Sequence, residues 1–250
     1  MSHDTIEQSI SQLKLLGMRE TLEPRLQQAQ EQQLSYREFL HLLLQDEREH
    51  RAAKTLARRL AHAKFEEEKT IEGLKMEFYP SQMQKMIREL ACGNYLEKHQ
   101  HILIMGTTGA GKTHLAQGLG HLACRKGKNV LFIRASILLR TLLAARADQS
   151  WGKVFKRFTQ PDLLIIDDFG LKSMTTTEAE DIYELIAERH LKGSMIITSN
   201  RSVEGWLELF PDPVMANASM DRLAHQAYHI ALTTDESFRK KMRPTMNKES

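Results

Sequence analysis

The chain has 250 residues, of which 41% are hydrophobic and 27% charged, and its formal net charge is +3. This length and composition are typical of a folded, soluble chain with one large domain, or one domain and a helical appendage. The small positive charge permits an anionic partner without requiring one, so any argument for such a partner depends on local clusters of charge.

Several classes of protein are disfavoured at this stage. The two cysteines, Cys92 and Cys124, lack metal-ligand or Cys-x-x-Cys spacing, which argues against a disulfide framework or a zinc site. No apolar stretch approaches the ~20 residues that span a bilayer, and the N-terminus lacks the pattern of a signal peptide. We therefore predict a cytoplasmic protein without a membrane partner.

The first part of the chain, up to Lys69, has the periodicity of helices. We predict a first helix that stops at Gly17 and a second helix with Pro24 near its start. Ser35 and Glu38 match a capping box, which predicts a long third helix after them. The helical stripes that support these predictions are Ile6, Ile10, Leu13 and Leu16; Leu22 and Leu26; and Phe39, Leu42, Leu43, Leu56 and Leu60.

Beyond Lys69, short apolar runs alternate with helical segments. The predicted strands are residues 101–105, 129–134, 163–166, 194–198 and 228–232. The predicted helices are residues 114–126, 137–147 (capped by Ser136), 151–158 and 178–189, with two more near Trp206 and Arg222. Continuously apolar strands that alternate with helices imply a parallel sheet covered on both faces. The predicted fold class is therefore α/β, with a small all-α domain before it.

A glycine-rich loop follows the first predicted strand and precedes the first predicted helix of this part. In that setting it matches the phosphate-binding P-loop, whose backbone amides point at phosphate oxygens near a helix N-terminus. Lys112 is assigned to the β- and γ-phosphates of ATP, and the Thr113 hydroxyl to magnesium. The predicted nucleotide-binding residues are Gly106, Thr107, Thr108, Gly109, Ala110, Gly111, Lys112, Thr113 and His114.

Polar residues follow two later strands. The strand of residues 163–166 ends in Asp167 and Asp168, at the edge of the sheet where ligands bind in open α/β folds. We predict that Asp167 holds magnesium through water and that Asp168 polarises the attacking water, a task more often given to glutamate. Asn200, after the strand of residues 194–198, is predicted to lie between the γ-phosphate and that water.

Arg222 lies on the predicted helix before the last strand. From there it is predicted to reach the γ-phosphate of a neighbouring subunit, as arginine fingers do. The alternative is an ordinary surface ion pair with Asp221. A finger of this kind requires head-to-tail assembly of subunits into a ring or a helical filament.

These motifs together resemble those of AAA+ ATPases of the DnaA/DnaC initiator group. Extended motifs resemble the IstB family, the ATP-binding helpers of transposition in bacterial insertion sequences. The stretches that carry this closer resemblance are Ile165–Gly170, Thr198–Ser202 with Trp206, Asp221-Arg222-Leu223 and Ser237-Phe238-Arg239. The resemblance covers nearly the whole chain. It implies a P-loop ATPase that assembles on duplex DNA as a helical homo-oligomer and hands the DNA to a partner transposase.

The resemblance also implies where DNA is bound, because the helix pair inserted before the acidic strand faces the DNA axis in initiator ATPases. The predicted contacts there are Arg140, Arg146, Lys153, Lys156 and Arg157. Two other basic clusters remain alternatives, one on the long N-terminal helix between Arg48 and Lys64 and one in the tail between Arg239 and Arg243. Any of these clusters is expected to contact the DNA backbone, and a solvated helix face is the ordinary alternative.

The predicted domains are residues 1–69, which are helical and interact with transposase or DNA; residues 70–235, the ATPase; and residues 236–250, a basic tail. Two other functions stay open. One is a DnaC-like helicase loader, which has the same ATPase core. The other is a nucleotide-gated DNA-binding scaffold with little turnover, which an aspartate at position 168 leaves open.

Overall fold

A computed structural model describes residues 3–225 and 227–232. Within them, the α-helices are α1 His3–Gln12, α2 Leu16–Gln32, α3 Tyr36–Ala63, α4 Ser81–Ala91, α5 Asn94–Glu97, α6 Lys112–Arg125, α7 Ala135–Ala147, α8 Trp151–Thr159, α9 Thr176–Arg189, α10 Glu204–Leu207 and α11 Pro213–Ala224. A short 3₁₀ helix spans Met76–Phe78. The strands are β1 His101–Gly106, β2 Val130–Arg134, β3 Leu163–Phe169, β4 Ser194–Ser199 and β5 Ala227–Leu232. The chain divides into two compact units, Met1–Arg58 and Arg59–Ser250.

The N-terminal unit contains α1, α2 and most of α3. Its small core is formed by Met18, Leu22 and Leu43, against which Ile10, Leu15, Leu26 and Phe39 pack. The capping box is confirmed, since the Ser35 amide donates to a Glu38 carboxylate oxygen (2.8 Å) and the Glu38 amide donates to the Ser35 hydroxyl (3.3 Å). The predicted position of Pro24 is wrong, because it lies in the interior of α2 rather than near its start.

Gly17 does not end a helix, which corrects the prediction. It lies in the first turn of α2, where a Cβ atom would be 2.8 Å from the carbonyl oxygen of Asp46 on α3. Glycine allows this close approach, and the buried carboxylate of Glu47 then accepts hydrogen bonds from the amides of Gly17 (2.7 Å) and Met18 (3.2 Å). A side chain distant in sequence therefore satisfies amides that the N-terminus of a helix leaves unpaired.

The second unit is built on a five-stranded sheet with the order β2-β3-β4-β1-β5, and every strand pair is parallel. Alternate strand residues such as Leu103, Ile166 and Ile197 pack in one core with residues of α7, α9 and α11. The residues between them point to the opposite face, where Ile165 lies against α6 at Gly120. Helices cover both faces, so the predicted α/β fold with a parallel sheet is confirmed.

The boundary between the units differs from the predicted one, because it falls between Arg58 and Arg59, inside α3, rather than after Lys69. Residues just after α3 pack on the second unit. The ring of Phe65 stacks on His121 of α6 with 4.3 Å between centroids. The periodicity of α3 continues across this point, so the sequence pattern contained no signal for it. The predicted tail, residues 236–250, lies outside the described residues, as does the basic cluster of Arg239 to Arg243.

Two further details were not predicted correctly. Ser136 does not cap α7, because that helix begins at Ala135 directly after the last residue of β2, and no side chain caps it. The sequence analysis also missed α4 and α5.

Among residues 3–225 and 227–232, every helix is too short or too polar to span a membrane.

Arg189, the last residue of α9, is a buried structural cation. Its guanidinium is 1% exposed and donates to backbone carbonyl oxygens that include Phe158 (3.0 Å), Pro161 (2.9 Å) and Ser194 (2.6 Å). Burial lowers the pKa of this guanidinium to about 10. The side chain thus joins the C-terminal end of α8 to the start of β4, where it satisfies carbonyl groups that a buried loop would otherwise leave unpaired.

The buried imidazole of His101 generates a prediction on pH. It is 2% exposed, its Nδ1 accepts a hydrogen bond from the Met195 amide (3.1 Å), and burial lowers its pKa to about 4. The unfolded chain takes up this proton near pH 6.5. The free energy of unfolding should therefore fall by up to about 3 kcal/mol between pH 6.5 and pH 4 because of this group.

The control is His101→Asn, which keeps an acceptor for the Met195 amide but does not titrate. Urea unfolding of both proteins across this pH range is the measurement. The stability advantage of the wild type over the variant should shrink as the pH falls, and a constant difference would contradict the assignment.

Candidate nucleotide-binding site

The glycine-rich loop lies between β1 and α6, as predicted. Gly106 has a φ of +151°, and a Cβ atom there would be 2.2 Å from the carbonyl oxygen of Leu232 on β5. Gly111, just before α6, has a φ of +89°. Only glycine adopts such conformations without strain, so the backbone curls at both ends of the loop. The N-terminus of a helix of 14 residues faces the loop, which suits an anionic ligand.

The Lys112 side chain folds back over this loop. Its ammonium donates to the carbonyl oxygens of Gly106 and Thr107, both at 2.9 Å, and to Oδ1 of Asn200 at 2.5 Å. Asn200 also donates from Nδ2 to the Thr108 hydroxyl at 3.5 Å. The structure therefore brings together two predicted site residues that are 88 residues apart, one at the start of α6 and the other just after β4.

Asp167 is the buried acid of the site and is 2% exposed. The hydroxyls of Thr113 (3.0 Å) and Thr198 (2.5 Å) both donate to its Oδ1 atom. Burial raises the pKa of Asp167, the hydrogen bond from Thr198 opposes this, and the neighbouring charge of Asp168 raises it further. A carboxylate and a hydroxyl in contact are oxygen donors that suit magnesium, and a cation would offset the cost of burying the acid.

Asp168 lies on an irregularity of β3. The pairing of β3 with β4 shifts register between Ile166 and Phe169, and Asp168 has a φ of +57°. Its amide donates to the hydroxyl of Thr198 at 3.0 Å. Bulges redirect side chains, and aspartate tolerates the left-handed conformation better than most residues. The half-buried Asp168 side chain consequently lines the cavity beside Lys112.

Three residues that support this arrangement received no role in the sequence analysis. Thr198 bridges Asp167 and Asp168, as described above. The Ser199 hydroxyl donates to the Phe169 carbonyl oxygen (2.7 Å) and accepts from the indole of the fully buried Trp206 (3.0 Å). The available signal was a pair of polar residues at the end of an apolar strand, directly before Asn200.

The cavity at this site has a volume of ≈ 580 Å³, within the usual range of small-molecule sites, ~300–1,000 Å³. One wall is the P-loop with His114, whose Nε2 lies 2.9 Å from the Thr70 carbonyl oxygen. The other wall comes from the segment between α3 and α4, residues 64–80, which we call the linker. Its lining residues are Lys69, Gly73, Leu74, Lys75 and Tyr79. Burial raises the pKa of Tyr79 to about 12, and its hydroxyl donates to the Ala110 carbonyl oxygen (3.4 Å).

Arg222 does not line this cavity. It is half-buried in the last turn of α11, where its guanidinium donates to the Ala218 carbonyl oxygen (2.9 Å) and lies 5.2 Å from the ring centroid of Tyr183 on α9. These contacts hold the side chain on its own helix face.

The predicted DNA contacts fall into two groups. Arg146 is paired with Asp181, a buried acid on α9, at 2.7 Å, and the Trp151 indole donates to the same carboxylate at 2.9 Å. The other four side chains are exposed on α7 and α8: Arg140, Lys153, Lys156 and Arg157. The three on α8 line a wide depression of ≈ 740 Å³. Arg146 thus has an ion-pair partner that the other four lack among the described residues, although the Arg157 guanidinium lies 5.9 Å from the ring centroid of Phe158.

Comparison with known proteins agrees with this geometry. Residues 8–245 match the family of the IstB-like ATP binding protein. The chain belongs to this family. It is 39% identical over 240 residues to a putative ATP-binding protein in an insertion sequence of Mycobacterium tuberculosis, with 96% of this chain and 95% of the relative covered. It is 34% identical over 236 residues to the IS21 putative ATP-binding protein of Pseudomonas aeruginosa, with 94% and 89% covered.

Solved structures resemble the second unit's fold. AMPPCP-bound DnaA from Aquifex aeolicus matches with a TM-score of 0.57 and 18% identity, over 71% of this chain and 54% of the DnaA chain. The DnaC helicase loader matches with a TM-score of 0.53 and 19% identity, over 63% of this chain and 95% of the loader. At these identities the likeness concerns the fold alone, and it agrees with the predicted α/β class. ATP binding is the property that the IstB-like family itself supplies.

The first prediction for the site concerns Lys112. Lys112→Ala removes the cation that the loop and Asn200 hold beside the cavity, so ATP binding should be lost in a fluorescent-ATP titration. Lys126→Ala is the matched control, since it removes an exposed lysine just after the same helix and should leave the affinity unchanged. Normal ATP affinity of Lys112→Ala would contradict the assignment.

Proposed function

We propose that this member of the IstB-like family hydrolyses ATP while assembled on duplex DNA, and that it thereby selects or remodels target DNA and activates the transposase of its insertion sequence. The observation that carries the enzymatic part is the arrangement of Thr113, Asp167 and Asp168 at one edge of the sheet, beside Lys112. The family relationship to insertion-sequence proteins supports the role in transposition.

Each proposed role follows from chemistry already described. Lys112 and the P-loop amides bind the phosphates of ATP. Thr113 and Asp167 hold magnesium, which when bound neutralises phosphate charge. Asn200 places its amide between the γ-phosphate and the attacking water. Its contacts with Lys112 and Thr108 support this role.

Asp168 is the proposed base. Its backbone is held by Thr198, while its side chain has no hydrogen-bonding partner among the described residues and faces the cavity. A carboxylate within hydrogen-bonding reach of the attacking water can accept a proton from it. General base catalysis of this kind typically raises a reaction rate by ~10²–10⁴-fold. The side chain of aspartate is shorter than that of glutamate, so its exact placement is important, and the bulge of β3 next to the cavity supports the proposed role.

Arg222 is the proposed finger for a neighbouring subunit. It lies outside the cavity of its own chain and is half-buried on α11. A role in hydrolysis from this position would require the nucleotide site of a second copy of the chain, and hence head-to-tail assembly.

The proposed DNA-binding residues are the exposed cations Arg140, Lys153, Lys156 and Arg157, without the paired Arg146. A solved DnaA structure bound to AMPPCP and single-stranded DNA has the same fold, at 19% identity. The depression lined by Lys153, Lys156 and Arg157 offers three positive charges to phosphates, independent of base sequence.

The alternative function, a helicase loader with the same ATPase core, has weaker support. The likeness to DnaC is a likeness of fold, whereas the match to the IstB-like family extends over residues 8–245 and so includes most of the N-terminal unit. The next experiment distinguishes an ATPase from a nucleotide-gated DNA-binding scaffold with little turnover.

Asp168→Ala should bind ATP normally and slow its hydrolysis by at least ~10²-fold. Arg222→Ala should also bind ATP and fail to hydrolyse it. If the finger acts on a neighbouring subunit, mixing these two inactive variants on DNA should restore part of the phosphate release, because some junctions pair an intact Asp168 with an intact Arg222.

The control mixture is Asp168→Ala with Lys112→Ala, which leaves every site defective because both residues serve the same subunit's nucleotide. Wild-type turnover of Asp168→Ala would remove it from the catalytic role. Equal activity of the two mixtures, with normal assembly, would place Arg222 in the structure of its own chain.

Reversal of Lys153, Lys156 and Arg157 to glutamate should weaken binding to all duplex sequences alike and flatten its dependence on salt. The control reverses three exposed cations elsewhere on the same unit, Lys85, Arg88 and Lys98, with the same change in net charge. Binding is measured by fluorescence anisotropy at several salt concentrations. Equal effects of the two reversals would show that α8 acts only through its contribution to net charge. The cluster between Arg48 and Lys64 would then be the next DNA-binding surface to test.

A further inference from the structure

The linker lies along α6, the helix that follows the P-loop. Phe65 stacks on His121, and the Glu67 amide donates to the side chain of Gln117 at 3.4 Å. Further along the linker, Glu72 pairs with Arg125 at 2.7 Å. The linker thus lines the cavity with Lys69 and Tyr79, and its residue Glu66 reaches the end of β2.

Glu66 pairs there with Arg134, the last residue of β2, with 2.5 Å between a carboxylate oxygen and Nη2. Arg134 is the strand partner of Asp167 in the β2–β3 pairing, and paired strands lie about 4.8 Å apart. A guanidinium therefore stands at the same edge of the sheet as the two acids. The hydrogen bond to Glu66 is the main cause that raises the pKa of Arg134, the charge of Glu66 adds to it, and the charges of Asp168 and Asp167 contribute in the same direction.

This placement creates a competition between carboxylates. Arginine forms strong, often bidentate hydrogen bonds with carboxylates. An Arg134 side chain without a partner would be free to bind Asp168, the residue next to its own strand partner, and a carboxylate bound in that way is no longer free to contact the attacking water. Glu66 supplies an alternative partner from outside the sheet.

We propose that Glu66 of the linker is a positioning residue that holds Arg134 away from Asp168, so that the carboxylate of Asp168 stays available to the attacking water. This inference rests on the proposed ATPase activity. It assigns the linker a part in turnover in addition to its part in the cavity wall. Neither Glu66 nor Arg134 contacts the P-loop in this arrangement, so ATP binding does not depend on the pair.

The test is steady-state ATP hydrolysis by the full chain on duplex DNA. Glu66→Ala should lower kcat by about fivefold with KM for ATP unchanged. This is the size of effect expected if a partly exposed ion pair forms between Arg134 and Asp168. Arg134→Gln in the Glu66→Ala background should restore kcat, because the competing cation is gone. Arg134→Gln alone should have nearly the kcat of the wild type.

Glu72→Ala is the matched control. It removes the same charge from the same linker and breaks another Glu–Arg pair, with 2.7 Å between its atoms, but Arg125 is the last residue of α6, whereas Asp167 contacts Thr113 at the start of that helix. It should leave kcat unchanged. Thermal melting of every variant checks that the linker stays folded on α6.

The outcomes separate the inference from the proposed function. Wild-type turnover together with an unaffected Glu66→Ala overturns this inference alone, as does a double variant that stays as slow as Glu66→Ala. A raised KM with unchanged kcat would mean that Glu66 only shapes the cavity, which also overturns it. No phosphate release by the wild type on DNA would overturn the proposed ATPase and this inference with it.

Discussion

The site depends on the fact that all five strands are parallel, because their carboxyl ends then lie at one edge of the sheet. β1 delivers the P-loop there, β3 delivers Asp167 and Asp168, and β4 delivers Asn200. The hydroxyl of Thr198 joins two of these strands, since it accepts from the Asp168 amide and donates to the Asp167 carboxylate. One buried hydroxyl therefore contacts the side chain of the first acid and the backbone of the second acid at the bulge of β3.

Residues other than those at the strand ends also line the nucleotide site. The linker supplies a wall of the cavity and lies along α6, so the part of the chain that follows the N-terminal helices is also part of the nucleotide site. This agrees with the division of the chain, in which residues from Arg59 onward belong to the second compact unit.

Cationic side chains occur in two settings in this protein, and they differ in whether a buried protein group binds the cation. Arg189 is buried and binds carbonyl oxygens, and Arg146 is tied to the buried carboxylate of Asp181. Removal of such a cation leaves polar groups unpaired in a medium of low dielectric, which costs stability. Lys153, Lys156 and Arg157 are exposed on one helix, where water solvates them and where they are available to an anionic partner.

The sequence by itself determined the α/β class, the capping box of α3 and the order of the P-loop, the acids and Asn200, because each depends on residues close together in the chain. It also contained the motifs of the family. Only the tertiary structure decided which polar groups meet: Lys112 with Asn200, Thr198 with both acids, Glu47 with the start of α2, and Glu66 with Arg134. It likewise decided that Gly17 permits a close approach of two helices instead of ending one. Periodicity and motifs report local backbone preference, whereas these contacts join residues that are brought together by the packing of helices and strands around a common core.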